Sequence, residues 1–144
     1  EGKLLSRQWF DWMEAIEDGF AEVSLNGKWN FINTEGQILS HQWFDAAWGF
    51  REGFAEVNLN GKYNFINTEG RLLSQQWFDY VGFFNEGFAE VNLNGRCNFI
   101  NAKGQFLSEQ WFTWVGDFKD GFADVKINGK RIYINTEGQL LSTR

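Results

Sequence analysis

The chain repeats itself every 34 residues, and this period restricts its fold more than any other feature. Trp-Phe pairs and Asn-Gly pairs recur at this spacing with no insertion between copies. The copies run over residues 1–34, 35–68, 69–102 and 103–136, with a partial fifth copy at 137–144. Such regular repetition is typical of a single repeat domain, here residues 1–144, in which each unit buries its apolar face against its neighbours.

Each copy contains a predicted β-hairpin. In the second copy, Asn60-Gly61 lies between two runs of alternating apolar residues. Asn-Gly favours a two-residue type I′ turn, because both central residues of that turn take positive φ. This turn fixes the register and places Val57 opposite Asn64. Phe65 then points to the other face, so we expect apolar cover on both sides of the hairpin.

Two further segments complete each copy. The apolar run at 71–74 is predicted to be a third strand that closes a meander. The Trp-Phe-Asp segment is ambiguous, since Trp77, Val81 and Phe84 have helical spacing. Gly82 and the β-forming aromatic residues favour an irregular strand followed by a loop. A helical repeat of this period is excluded, because the glycines leave too little uninterrupted chain for two helices.

The predicted fold is therefore all-β, with four tandem 34-residue β-meander repeats in an open solenoid-like array. A short-bladed β-propeller is the alternative. Residues 1–6 nearly duplicate residues 137–142, and a closed ring of four would make one of these segments redundant, whereas an open array contains both. The unpaired strand edges of an open array would favour a homo-oligomer.

Composition excludes several kinds of partner. The net charge is −6, and the thirteen basic residues are scattered singly, so we expect no nucleic-acid binding. No window reaches the roughly 18 apolar residues of a membrane helix, so we expect no membrane insertion. The one cysteine, Cys97, cannot form an internal disulfide and is compatible with any compartment.

The repeat resembles a known family. Gly-Phe-Ala-Glu-Val at 53–57, Asn-Gly-Lys at 60–62 and Ile-Asn-Thr-Glu-Gly at 66–70 are similar to the WG repeat, a bacterial β-stranded repeat. The resemblance covers essentially the whole chain and implies a non-enzymatic repeat module with no common activity. The glycine of the Trp-Gly pair is replaced in every copy: Trp29-Asn30, Tyr63-Asn64, Cys97-Asn98 and Arg131-Ile132. The asparagines suggest a ladder of stacked amides.

The sequence predicts no enzyme, no catalytic residue, no metal site and no cofactor. Histidine and cysteine, which dominate nucleophilic and metal chemistry, are limited to His41 and Cys97. Carboxylates recur with the fold period, which favours structural roles such as turn hydrogen bonds over acid-base chemistry. These carboxylates are Glu22, Glu56, Glu90 and Asp124, and Asp11, Asp45 and Asp79.

Candidate binding residues are the aromatic residues at positions that differ between copies. One such column contains Trp12, Ala46, Tyr80 and Trp114, and another contains Trp29, Tyr63, Cys97 and Arg131. Trp48 and Phe83 lie close by in the sequence. Rings at variable positions suit anchoring a peptide or stacking on a sugar. Covering the loops between stacked units is the other interpretation of the same rings.

The predicted function is a non-catalytic repeat module for protein or peptide binding or scaffolding. One alternative is a carbohydrate-binding module that uses the variable aromatic residues. A second alternative is a structural spacer that self-associates through open sheet edges.

Overall fold

The computed structural model describes residues 10–14 and 19–142. Within these residues the chain forms four antiparallel sheets, one for each repeat, and none of the four closes into a barrel. No helix occurs among the described residues. The all-β class and the organisation of one sheet per repeat are confirmed. The predicted strand within residues 1–6 lies outside the described residues.

The sheets are numbered in chain order, and their strands follow one another without crossovers. Sheet 1 contains β1 (Trp12–Met13), β2 (Phe20–Leu25) and β3 (Lys28–Asn33), and sheet 2 contains β4 (Ala46–Arg51), β5 (Phe54–Leu59) and β6 (Lys62–Asn67). Sheet 3 contains β7 (Tyr80–Val81), β8 (Phe88–Leu93) and β9 (Arg96–Asn101). Sheet 4 contains β10 (Trp114–Val115), β11 (Phe122–Ile127), β12 (Lys130–Asn135) and β13 (Leu140–Leu141).

The chain divides into two compact units, Glu1–Gln75 and Gln76–Arg144. Sheets 1 and 2 belong to the first unit, and sheets 3 and 4 belong to the second. Each unit thus contains the sheets of two successive repeats.

The central hairpin of each sheet has the predicted turn and register. In sheet 2, Asn60 has a φ of 55° and Gly61 a φ of 81°, as a type I′ turn requires. Val57 lies opposite Asn64. Phe65 is buried on the other face, at 3% exposure. The prediction of cover on both faces is therefore confirmed for this hairpin.

A second two-residue turn joins the edge strand of a sheet to the central hairpin. In sheet 3, Glu86 and Gly87 have φ values of 53° and 88°, and a bridge pairs Asn85 with Phe88. Asp120-Gly121 repeats this turn in sheet 4. This turn was not predicted, because Glu-Gly is a weaker hairpin signal than Asn-Gly, although Asp-Gly is a recognised one.

The predicted third strand and the ambiguous Trp-Phe-Asp segment both pair with the preceding hairpin. In the second unit, Phe106 bridges to Ile100 and Phe112 bridges to Cys97, both antiparallel. The predicted third strand is thus reduced to an isolated bridge beside sheets 1, 2 and 3. It forms a regular strand, β13, only in sheet 4. The strand interpretation of the segment after the Trp-Phe pair is confirmed, because β4, β7 and β10 occupy it.

The asparagine that replaces the family glycine links its hairpin to the backbone of the segment that follows. Asn98 is fully buried, and its Nδ2 donates to the Ser108 carbonyl at 2.8 Å. The Ser108 N–H donates back to Asn98 Oδ1 at 3.4 Å. Asn64 makes the same bond to Ser74. The expected ladder of stacked amides is wrong, because each amide bonds to the backbone ten residues later.

The aspartate column stabilises the Asn-Gly turns, as predicted. The Asp45 carboxylate accepts a hydrogen bond from the Asn60 N–H at 2.8 Å, and Asp79 accepts one from Asn94 at 2.9 Å. Lys28 Nζ lies 2.5 Å from Asp45 Oδ1. The Lys28 hydrogen bond, followed by that of Asn60, lowers the pKa of Asp45 below its usual value. These carboxylates therefore stabilise the turns of the fold.

Candidate binding surface

The structure places the two variable columns on one face of each sheet. Both columns are cross-strand partners of the same position in the first strand of the hairpin, so their side chains project side by side. We call each set of three a variable row. The rows are Trp12–Ser24–Trp29, Ala46–Asn58–Tyr63, Tyr80–Asn92–Cys97 and Trp114–Lys126–Arg131.

The outer member of a variable row lies on the edge strand and faces solvent in three repeats. Trp12 is 53% exposed, Tyr80 is 51% exposed and Trp114 is 44% exposed. A single exposed aromatic ring is common on a protein surface and needs no explanation, whereas larger sets of exposed apolar side chains mark interaction sites. The recurrence at one structural position is what marks these three.

The second repeat carries its ring at a different place. Its outer row member is Ala46, and a register shift between Ala47 and Phe50 interrupts the pairing of β4 with β5. Trp48 lies within this bulge at 41% exposure, and its ring centroid is 6.1 Å from that of Tyr63. The bulge therefore brings together two sequence-predicted site residues, a common effect of bulges on side-chain direction.

In the first three rows the members on the second hairpin strand, Trp29, Tyr63 and Cys97, are partly or fully buried, whereas Arg131 of the fourth row is exposed. Trp29 is half-buried and bridges to Phe44. Cys97 is only 5% exposed, and Asn92 Nδ2 lies 3.4 Å from its Sγ. Burial, with a smaller contribution from Glu90, raises the pKa of the Cys97 thiol. Burial and a raised pKa both lower the reactivity of a thiol, and the Cys97 side chain packs in the hydrophobic core of the second unit.

The fourth row combines aromatic and basic groups. Lys126 Nζ lies 5.5 Å from the centroid of the Trp114 ring, within the range of a cation–π contact. Arg131 forms an ion pair with Asp124. Phe83, the remaining candidate, is 64% exposed and lies outside the rows, after β7.

Two partly buried carboxyl groups share the face of the variable rows, next to them along the strand. Burial raises the pKa of Glu56 to about 7. Burial also raises the pKa of Glu90; the charge of Asp117 adds to this effect and a hydrogen bond with Cys97 opposes it. The sequence predicts structural roles such as turn hydrogen bonds for this column. Its actual position is beside the second hairpin strand, opposite Phe65 in the case of Glu56.

Sheet 4 has a surface cavity of about 800 Å³ on this same face. Its lining combines aromatic and apolar residues with charged residues, most of which are acidic. Residues lining it include Trp114, Phe122, Tyr133 and Leu141, with Asp117, Lys119, Asp120 and Asp124. The variable row of sheet 4 therefore ends at the cavity.

Residues 10–14 and 19–142 contain no group of three His, Cys, Asp or Glu side chains arranged to hold a metal ion. Over the same residues, no helix has the length and apolar character needed to span a membrane.

These features define an all-β tandem-repeat protein with a constant hairpin and variable edge positions. The chain belongs to the WG containing repeat family, whose pattern matches residues 10–29, 31–63, 65–97 and 99–130. Successive family units start 34 residues apart from Phe31 onward, in agreement with the period of the sequence. No curated protein matches the chain.

Solved structures that resemble the chain include two forms of Hsv2, a β-propeller-like protein. KlHsv2 with loop 6CD replaced by a Gly-Ser linker has a TM-score of 0.53 at 11% identity, covering 89% of this chain and 50% of that one. Kluyvelomyces marxianus Hsv2 has a TM-score of 0.52 at 11% identity, covering 89% and 47%. The chain thus spans about half the length of these structures, and the likeness concerns the fold alone.

Proposed function

We propose that this chain is a non-catalytic module that binds a protein or peptide segment through the exposed outer rings of its variable rows. The observation that carries the proposal is that Trp12, Tyr80 and Trp114 occupy the same edge-strand position in three sheets and are each 44% to 53% exposed. Aromatic residues of this kind are enriched among the anchors of protein interfaces.

The contrast between constant and variable positions within a repeat supports this proposal. The hairpin residues that fix the fold are nearly the same in every copy, whereas the row residues differ. Each copy can therefore change its contact residue without losing the turn or the register. Such a design suits a scaffold whose repeats contact different parts of one partner.

A protein partner suits the fourth row better than a glycan does. Lys126 Nζ already lies over the Trp114 ring, at 5.5 Å from its centroid. A sugar stacking on that face would have to displace the ammonium group, whereas a carboxylate-bearing peptide could contact the ring edge and the cation together. Carbohydrate binding is therefore the competing hypothesis, and a spacer role without any ligand is the third.

The test is a selection of peptides against the full chain. A random peptide library is panned on the wild type, and recovered peptides are measured by fluorescence anisotropy. We expect them to lose at least about tenfold in affinity for the Trp12→Ala/Tyr80→Ala/Trp114→Ala variant, which corresponds to about 1.4 kcal/mol. The matched control replaces two other exposed apolar residues, Leu72→Ala and Phe106→Ala, which are 39% and 41% exposed.

The proposal fails if the recovered peptides bind the triple variant as tightly as the wild type. A glycan panel screened with the same proteins separates the competing hypothesis: ring-dependent glycan binding without ring-dependent peptide binding would replace the protein partner by a carbohydrate.

A further inference from the structure

The cavity on sheet 4 lies at a position that another repeat covers in sheet 3. Phe99 of sheet 3 is 2% exposed, whereas Tyr133, its equivalent in sheet 4, is 39% exposed. Phe122, the equivalent of Phe88, is 46% exposed, whereas Phe88 is half-buried. The two faces thus have corresponding aromatic residues and differ in what lies on them.

A single phenylalanine covers the face of sheet 3. Phe118, from the following repeat, stacks on Phe88 with ring centroids 4.8 Å apart and planes at 23°. The same ring meets Phe99 edge-on at 4.8 Å and 65°. Phe118 is 3% exposed. One ring therefore fills the space between a stacking partner and an edge partner, both favourable aromatic arrangements.

The first unit repeats this geometry independently. Phe50 of the second repeat stacks on Phe20 at 4.8 Å and 24°. It meets Phe31 edge-on at 5.0 Å and 64°. Agreement to within a few tenths of an ångström in two separate units makes the arrangement a property of the repeat.

Polar contacts hold the incoming segment in the second unit. The Glu86 carboxylate accepts hydrogen bonds from the N–H groups of Asp120 and Gly121, at 3.0 and 3.1 Å. Asn85 Nδ2 donates to the Phe118 carbonyl at 2.7 Å. The docked segment is therefore a phenylalanine followed two residues later by an acidic residue and glycine, recognised at its ring, its carbonyl and its turn.

Sheet 4 presents an equivalent of each of these groups in its cavity. Phe122 and Tyr133 replace the stacking and edge partners, and Asp120 replaces the carboxylate of Glu86. Lys119 replaces Asn85 as a hydrogen-bond donor. All four line the 800 Å³ cavity.

We propose that this cavity is a docking site for the Phe-x-Asp/Glu-Gly turn of a further WG-type repeat. A second copy of this chain is a poorer source, because Phe50, Phe84 and Phe118 are each 7% exposed or less and the first copy has Ile16 at this position. The site extends the interface that already joins repeats within each unit. Of the three rings that carry the proposed function, Trp114 also lines this cavity, whereas the docking contacts are assigned to Phe122, Tyr133, Asp120 and Lys119.

The test uses a peptide with the sequence of residues 116–124, closed by terminal cysteines so that the turn is formed before binding. The isotope-labelled full chain is titrated with this peptide, and backbone amide shifts are followed by NMR. We expect shifts at Lys119 to Asp124 and around Tyr133. A peptide with the change corresponding to Phe118→Ala should bind about tenfold more weakly or worse.

A Phe122→Ala/Tyr133→Ala variant should lose these shifts while the amide spectrum of sheet 3 stays unchanged. Both side chains are exposed, so the variant is expected to fold. The proposal is overturned if the phenylalanine and alanine peptides give the same shifts, if the shifts fall elsewhere, or if none occur at millimolar peptide. Its failure would leave the ring-dependent binding of selected peptides unaffected.

Discussion

Two aromatic side chains of the second unit, Phe118 and Tyr80, differ strongly in their exposure to solvent. Phe118 is 3% exposed between two phenylalanines, whereas Tyr80 is 51% exposed on an edge strand. The high aromatic content of the chain therefore divides into rings that join successive repeats and rings that face solvent. Substitutions in the two groups of rings should therefore have different effects on stability.

Replacing Phe118 with alanine should destabilise the second unit most. The change removes a buried ring from between two aromatic partners, and such truncations cost about 3–5 kcal/mol. Urea unfolding followed by circular dichroism measures the loss. A cost below about 1 kcal/mol would contradict the role of this ring in joining the repeats.

A pair of glycine substitutions measures how closely successive repeats approach. Gly70 and Gly61 have nearly equal φ values, 80° and 81°. A Cβ at Gly70 would lie 2.3 Å from the Leu39 carbonyl oxygen, whereas a Cβ at Gly61 meets nothing within 4 Å. Both alanine variants carry the cost of a left-handed conformation, about 1–2 kcal/mol.

Gly70→Ala should lower the free energy of unfolding by about 1–3 kcal/mol more than Gly61→Ala, because only the first change forces a clash. Thermal or urea unfolding of the two variants gives this difference directly. Equal destabilisation would show that the backbones at Gly70 and Leu39 can separate at no cost.

Replacing Asn98 with alanine should cost about 2 kcal/mol. The change leaves the partly buried backbone groups of Ser108 without the side-chain partners that Asn98 now supplies. Gln105→Ala, which truncates another amide in the same repeat, is the control. The amide-bridge account is wrong if the two variants unfold at the same urea concentration.

The pH dependence of stability should contain two contributions of opposite sign. The pKa of Glu56 is raised from 4.5 to about 7 in the folded chain, so the folded state binds more protons and stability falls as pH rises through this window. Glu56→Gln should remove that fall. The pKa of Asp45 is lowered from 3.8, so its contribution is present above pH 3.8 and is lost on further acidification.

Unfolding of Glu56→Gln, Asp45→Asn and the wild type across pH 3 to 8 would separate these contributions. If Glu56→Gln keeps the wild-type decline between pH 4.5 and 7, the burial of its carboxyl does not control the slope.

The parts of this fold that follow from local chemistry were predictable from sequence. The Asn60-Gly61 turn sets its own backbone angles, and the alternation of apolar residues on either side then fixes the pairing of Val57 with Asn64. The role of Asp45 at the turn was also predicted, since short carboxylates commonly accept backbone hydrogen bonds in turns.

The features that were missed depend on pairing between segments distant in the sequence. Asn98 reaches Ser108 only because the next repeat runs beside β9. The contact of Trp48 with Tyr63 depends on the bulge in β4, and although Gly49 is compatible with a bulge, it does not indicate which side chains the bulge brings together. The candidate residues themselves were found by comparing copies, but their alignment in rows required the register of the edge strands.

The central claim is that the solvent-facing rings contact a protein or peptide partner and contribute little to the stability of the fold. Tyr80→Ala tests it most directly, with affinity for the selected peptides measured beside urea unfolding of the same sample. The account predicts an unfolding free energy within about 0.5 kcal/mol of wild type and a clear loss of peptide affinity. A variant that unfolds as easily as Phe118→Ala, or that binds the peptides like the wild type, would contradict it.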